Sequence, residues 1–174
     1  TLTFDFGASM PSGQTKIAFF NDLSQQGDGS DDWTIFIDDL KQVGEDAGGD
    51  TGGDTSATIA LPVDFSDDAS AYEIAGFDGG VATIEAAPDG SQALKYVKGA
   101  GANWGGVWIN LDTVVDPAAG TVFSARVYST VSRVLTFKFD VANVEIPATT
   151  AGTGWETLTF DFGASMPSGQ TKIA

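Results

Sequence analysis

Carboxylates are the most numerous side chains in this chain that could do chemistry. The chain has 24 acidic residues against 8 basic ones, which gives a formal net charge of −16. It contains no cysteine and no histidine, which excludes disulfides, thiol catalysis, the usual zinc sites and histidine-based triads. Paired carboxylates could hydrolyse a glycosidic bond, but here they cluster in loops, where solvation or calcium explains them. We therefore predict that the chain is not an enzyme.

The charge balance also restricts the partners of the chain. An excess of carboxylates repels nucleic acid and anionic membranes, so we expect no nucleic-acid partner. No apolar run reaches the length of a transmembrane helix, so we expect no membrane insertion. The charge suits a medium that contains salt or calcium, where it is screened or bound.

A second set of side chains combines aromatic rings with cations. Its members are Trp104, Trp108, Arg126, Tyr128 and Lys138. Successive side chains of a strand point to opposite faces, so each of these residues lies opposite apolar neighbours. If their strands are adjacent, the five share one outer sheet face, where rings could stack on sugars and cations could reach hydroxyls or carboxylates. The alternative is that the tryptophans cover a sheet edge and that the cations pair with local acids such as Glu145 and Asp140.

The elements that must position these side chains are strands. In residues 1–6, for example, Leu2, Phe4 and Phe6 alternate with polar residues. Residues 81–86 and 93–98 predict a hairpin across a Pro-Asp-Gly turn. No segment shows a helical period, and about ten short strands separated by turn residues predict an all-β fold, an antiparallel β-sandwich of the jelly-roll type. The other predicted strands span 16–20, 33–40, 59–65, 122–128, 134–141 and 144–146.

One segment of the chain occurs twice without a single difference. Residues 1–18 and 157–174 both read TLTFDFGASMPSGQTKIA. Identity over this length predicts a tandem repeat. We therefore expect the chain to be a window onto a longer array, with both ends cut inside a domain.

The domain boundary is predicted at residues 44–57, GEDAGGDTGGDTSA, an acidic, glycine-rich linker without a large apolar residue. Residues 1–43 are then the C-terminal strands of one sandwich repeat, and residues 58–174 are the N-terminal and central strands of the next. Two arrangements remain open at this point. Residues 1–43 could complete a preceding domain of the array, or they could complete residues 58–174 in a circularly permuted monomer.

The order of the motifs resembles the jelly-roll carbohydrate-binding modules attached to secreted bacterial polysaccharidases and surface proteins. The motifs are LPVDF, GFDGG, QALKYVKGAGANWGGVWINL, FSARVYS, TGWETLTFDF and DDWTIFIDDL. The resemblance spans nearly the whole unit formed by residues 58–156 and 1–43. It implies two antiparallel sheets, a glycan on the concave sheet or at the loop end, and a location outside a bacterial cell or on its surface.

The resemblance also implies a structural calcium ion that ties the first strand to the last. The matching positions are Asp64 in LPVDF and the pair Asp38 and Asp39 in FIDDL, with Asp78 in GFDGG as a further candidate. Calcium prefers six to eight oxygen ligands, chiefly carboxylates and carbonyls. Only one residue of the Asp38–Asp39 pair can face inward, and there it would need a cation or donors. The alternative is that these acids are solvated strand ends.

Two functions from different classes follow. In the first, the chain is a structural repeat of a long extracellular adhesin, stalk or fibre, stabilised by calcium and in contact with neighbouring copies of the same repeat. In the second, it is a working carbohydrate-binding module that recognises a polysaccharide through an aromatic and basic sheet face. The duplication favours the first, whereas the resemblance favours the second, although a fold does not determine a function.

Overall fold

A computed structural model describes residues 16–43, 61–116, 120–139 and 143–165. The linker prediction at 44–57 and the predicted strand at 1–6 lie outside these residues. The strands are β1 (Lys16–Asn21), β2 (Thr34–Val43), β3 (Ile74–Phe77), β4 (Gly80–Ala86), β5 (Gln92–Lys98), β6 (Gly106–Asn110), β7 (Val122–Ser129), β8 (Val134–Phe139), β9 (Val144–Thr149) and β10 (Gly154–Asp161). Within these ranges, short 3-10 turns are found at Asp31–Trp33, Ala69–Ala71 and Gly163–Ser165.

The strands form two five-stranded antiparallel sheets. Sheet A has the order β3-β6-β1-β8-β9, and sheet B has the order β10-β7-β2-β5-β4. This arrangement confirms the predicted all-β, antiparallel sandwich. The predicted hairpin is also present, since β4 pairs with β5. The predicted strand at 59–65 is not, because its described part contributes a single bridge between Val63 and Leu40.

Residues from the start of the chain occupy the middle of both sheets. β1 lies between β6 and β8, and β2 lies between β7 and β5. Residues 16–43 are therefore integral to the sandwich that the later strands build. The strands from β5 to β8 lie alternately in sheet B and sheet A. If β1 is taken to follow β10, the order β9, β10, β1, β2 alternates between the two sheets in the same way. Such alternation is typical of jelly rolls.

The described residues include different parts of the two copies of the duplicated segment. Residues 157–161 of the second copy form most of β10, which pairs with β7, and residues 16–18 of the first copy form the start of β1. If the two copies are superimposed as one segment, β10 leads into β1 along the chain. This strand order is compatible with the predicted circularly permuted arrangement, which stays a prediction.

The core between the sheets is a cluster of phenylalanine rings. Phe137 is fully buried, and its ring centroid lies 5.2 Å from those of Phe19 and Phe123 and 5.4 Å from that of Phe160. Burying one such ring stabilises the fold by about 1.5–3 kcal/mol. The alternating pattern sends these rings inward and leaves the other residues of each strand for the two outer faces. None of the helical turns in the described ranges could span a membrane.

Candidate functional site

The outer face of sheet A carries a row of aligned side chains. Strand pairing places Trp108 and Lys138 on either side of Ala18, and it places Glu145 opposite Lys138. Cross-strand neighbours have Cβ atoms about 5 Å apart. Ala18 between them is fully buried, so the larger side chains on either side form the surface of this row.

A second row of side chains lies beside the first. Phe20 and Phe77 flank Gly106, and their rings meet edge to face with centroids 5.6 Å apart. A Cβ atom on Gly106 would lie 2.7 Å from the Phe77 ring. The missing side chain at Gly106 therefore lets the two rings approach each other across β6.

Together these rows border a groove of about 440 Å³ that is open to solvent. This volume lies within the range of roughly 300–1,000 Å³ that is typical of ligand sites. The residues that line the groove are Lys16, Phe20, Leu23, Phe77, Trp104, Trp108, Lys138 and Glu145. We call it the sheet A groove.

Trp104 is the most accessible ring of the groove, with 57% of its surface exposed. Its indole N–H donates a hydrogen bond of 2.9 Å to the Asp78 carboxylate. The loops that carry the two residues are in close backbone contact. The Ala102 N–H donates to the Asp78 carbonyl, and Cβ atoms on Gly101 and Gly105 would lie only 2.1 and 2.4 Å from that oxygen. Trp104 is thus exposed but held in one orientation.

The cations of the groove lie beside aromatic rings. Lys16 Nζ is 3.9 Å from the centroid of the Trp108 ring, and Lys138 Nζ is 5.7 Å from that of Phe20. Lys138 also forms a 3.0 Å ion pair with Glu145, as the alternative interpretation of the sequence predicts. Two ammonium groups thus accompany one carboxylate, although the chain as a whole is strongly negative. Such a site can offer ring faces to C–H groups and charged donors to hydroxyls or carboxylates.

The prediction that all five aromatic and basic residues share one face is wrong for Arg126 and Tyr128. The condition for it was that their strands be adjacent, but β6 and β8 flank β1 in sheet A, whereas β7 belongs to sheet B. The structure therefore brings together Trp104, Trp108 and Lys138 and places the other two on the opposite outer face. Asp140, the other predicted acidic partner, is outside the described residues.

On sheet B, Arg126 is the centre of a closed network. Its guanidinium donates to the carboxylates of Asp38 (3.2 Å) and Asp89, and it stacks 3.9 Å from the centroid of the Trp155 ring. Tyr128 packs between Trp155 and Phe36, with centroid distances of 5.6 and 6.1 Å. The charges and rings of this set are engaged with one another, so little of their binding capacity remains for a ligand.

The network shifts the acidity of its carboxyl groups in opposite directions. Burial raises the pKa of Asp38, which the Asp39 backbone N–H and Arg126 partly oppose. The hydrogen bond from Arg126 lowers the pKa of Asp89 to about 2, with help from Ser91. Both carboxylates face the same guanidinium, but only that of Asp38 is deeply buried.

The four candidate calcium ligands do not converge. Asp38 lies on the outer face of sheet B beneath Arg126, and Asp78 accepts from Trp104 at the edge of the sheet A groove. Asp39 and Asp64 are neighbours, because Asp39 precedes Leu40 and Asp64 follows Val63 in the antiparallel Leu40–Val63 bridge, but both are exposed and the other two candidates lie elsewhere. In the part of the chain that the structure describes, no three acidic side chains are grouped so as to hold a metal ion. Calcium binding stays a prediction.

Sequence reasoning missed most of the groove lining. The residues that line the groove but were not predicted as site residues are Lys16, Phe20, Leu23, Phe77 and Glu145, the last of which was expected only as a partner of the cations. The alternation in KIAFFN does place Phe20 on the face opposite Ile17 and Phe19. The alternation does not show which strands lie beside β1, and so it does not show which residues share the groove with Phe20.

Comparisons of the chain with protein families, with curated proteins and with solved structures give no match.

Proposed function

We propose that this domain binds a polysaccharide in the sheet A groove. The observation that carries the proposal is Trp104, an exposed indole whose orientation is set by its hydrogen bond to Asp78. Trp108 and Phe20 extend the aromatic surface, and Lys138 and Glu145 supply a polar border. A sugar ring has an apolar C–H face and polar hydroxyls at its rim, which matches this division.

The preset orientation of Trp104 favours binding energetically. Ordering a mobile side chain on binding costs about 0.5–1.5 kcal/mol. Trp104 is already held by Asp78 and by the glycine contacts of its loop, so most of this cost is met during folding. Aromatic residues also have few rotatable bonds for the area they present. We propose binding rather than catalysis, since Glu145, the one carboxylate among the described residues that line the groove, is paired with Lys138.

The test is direct binding of the purified chain to a panel of polysaccharides. The panel contains neutral chains (xylan, laminarin, cellulose) and uronate chains (alginate, polygalacturonate), each at low and high salt. We expect saturable binding to at least one of them. Binding to a uronate that weakens as salt rises would indicate that Lys16 and Lys138 contact its carboxylates. Absence of binding to every member would contradict the proposal.

A second candidate function is a structural repeat of an extracellular fibre, stalk or adhesin on a bacterial surface. The duplicated segment supports it, because residues 157–174 repeat residues 1–18, and β10 and β1 contain different parts of that segment. The two functions are compatible, since an array of weak glycan-binding units gains avidity. For this candidate, we expect a chain in repeat order, residues 58–174 followed by 19–43, to melt within a few degrees of the present chain. Failure of that chain to fold would argue against a repeating unit.

A further inference from the structure

Lys98 is a fully buried lysine at the end of β5. Its ammonium group donates to three backbone carbonyls: that of Asn21 at 2.6 Å, that of Asp22 at 2.8 Å and that of Asn103 at 2.9 Å. An ammonium group has three donors, so the match in number is complete. Lysine is among the residue types least often buried completely, and a buried charge must be compensated by such bonds.

Tyr96 lies two residues earlier in β5, on the same inward face, and bridges the same two segments. Its buried hydroxyl donates to the Gly105 carbonyl (2.7 Å) and accepts from the Asn21 N–H (3.2 Å). Lys98 and Tyr96 thus both join the end of β1 to the loop between β5 and β6. Both side chains belong to sheet B, whereas β1 and β6 belong to sheet A.

The backbone groups that these two side chains hold are next to residues that line the groove. Asp22 precedes Leu23, and Trp104 lies between Asn103 and Gly105. Leu23 and Trp104 both line the sheet A groove. The polar tips of Tyr96 and Lys98 therefore fix the chain on both sides of Trp104 from beneath, while Asp78 holds the indole from the outer side.

We propose that Lys98 and Tyr96 are positioning residues for the sheet A groove, and that the Lys98 ammonium acts as an internal cation that joins the Leu23 and Trp104 segments. Neither side chain contacts the groove itself. This inference rests on the proposed function only in treating the groove as a binding site. The arrangement of the Trp104 loop can be tested without any glycan.

The test follows the indole N–H signals of the chain by NMR, because each of the 4 tryptophans supplies one such signal. Single Trp-to-Phe variants assign them. The test variants are Lys98→Met and Tyr96→Phe. The matched control is Thr150→Val, which also removes a buried bridging hydroxyl, one that accepts from the Arg133 N–H and donates to the Val131 carbonyl.

We expect both test variants to shift the Trp104 signal and to leave that of Trp155, on sheet B, in place. Thr150→Val should leave both signals unchanged. Lys98→Met should also weaken binding of whichever polysaccharide the panel identifies by about tenfold. If the melting temperature falls but the Trp104 signal and the affinity stay as in the parent chain, both residues are merely structural and the inference is overturned. If Lys98→Met does not fold, Tyr96→Phe decides by the same criteria.

Should the panel find no polysaccharide, the Trp104 signal still decides whether Lys98 and Tyr96 arrange the loop. Failure of the proposed function and failure of this inference are therefore separate outcomes.

Discussion

The outer faces of the two sheets have similar composition but different organisation. Each carries tryptophan, a second aromatic residue, cations and acids. On sheet B, Arg126 joins Asp38, Asp89 and Trp155 in one network. On sheet A, Trp104 remains 57% exposed and lines the sheet A groove together with Trp108 and Lys138. The difference shows that residue composition alone does not produce a binding face. The aromatic and charged side chains must also stay exposed and not be fully engaged in contacts within the protein.

The largest difference should appear when one tryptophan is removed from each face. Trp104→Ala removes an exposed ring, so we expect polysaccharide binding to weaken by roughly 2 kcal/mol, about thirtyfold. Its effect on the free energy of unfolding should be about 1 kcal/mol or less, since it loses mainly one exposed hydrogen bond. Isothermal titration with the polysaccharide found in the panel and urea unfolding measure the two quantities.

Trp155→Ala is the matched variant on sheet B. It removes the ring on which Arg126 and Tyr128 pack, so we expect unfolding to become easier by roughly 2–3 kcal/mol. Its affinity for the polysaccharide should stay within about twofold of the parent value, because the ring is remote from the groove. Loss of binding in Trp155→Ala with retention in Trp104→Ala would reverse the assignment of the two faces.

Breaking an ion pair should also cost more stability on sheet B than on sheet A. Arg126→Met leaves the buried Asp38 carboxylate without its cation, and breaking a buried pair costs about 3–5 kcal/mol. Because Arg126 is itself 32% exposed, we expect a loss of about 2 kcal/mol in the free energy of unfolding. Lys138→Met leaves Glu145, which is 40% exposed and stays hydrated, so a loss below about 1 kcal/mol is expected.

Urea unfolding of both variants gives these values. Asp38→Asn in the Arg126→Met background is the control, because it removes the stranded charge and should restore part of the loss. Equal costs at Arg126 and Lys138 would show that burial does not distinguish the two faces.

Much of the sandwich follows from local patterns in the sequence. Alternation in segments such as 81–86 and 93–98 predicts strands because one face of each must meet the core, and those two strands do pair. The order of strands in each sheet does not follow from such patterns. Consecutive strands β6, β7 and β8 alternate between sheets, and β1 finds its partners far along the chain. Only long-range packing decides those neighbours.

The same limit explains the outcome for the site. Trp108 and Lys138 line the same groove because both align with Ala18, a relation between three strands that no local pattern contains. Tyr96 and Lys98 share the inward face of their strand with Leu94. A lysine in that pattern could have indicated an internal cation. Its three carbonyl partners come from β1, from the turn after it and from the loop after β5, so they appear only in the folded chain.

The smallest expected effect is the response of sheet B to acid. The pKa of Asp89 is about 2 in the folded chain and near its ordinary value of 3.8 in the unfolded chain. Between these values the unfolded chain binds more protons, so this group's contribution to stability is present above about pH 4 and is lost as the pH falls toward 2. Asp38, whose pKa is raised by burial, acts in the opposite sense, so its protonation in acid favours the folded chain.

Urea unfolding at several pH values should therefore show that Asp89→Asn loses less stability between about pH 4 and pH 2 than the parent chain does. Lys138→Met, which leaves the Arg126 network intact, should keep the parent slope. An unchanged slope in Asp89→Asn would mean that Arg126 does not hold the Asp89 carboxylate in solution, and the guanidinium, still paired with Asp38, would then have donors left for a ligand.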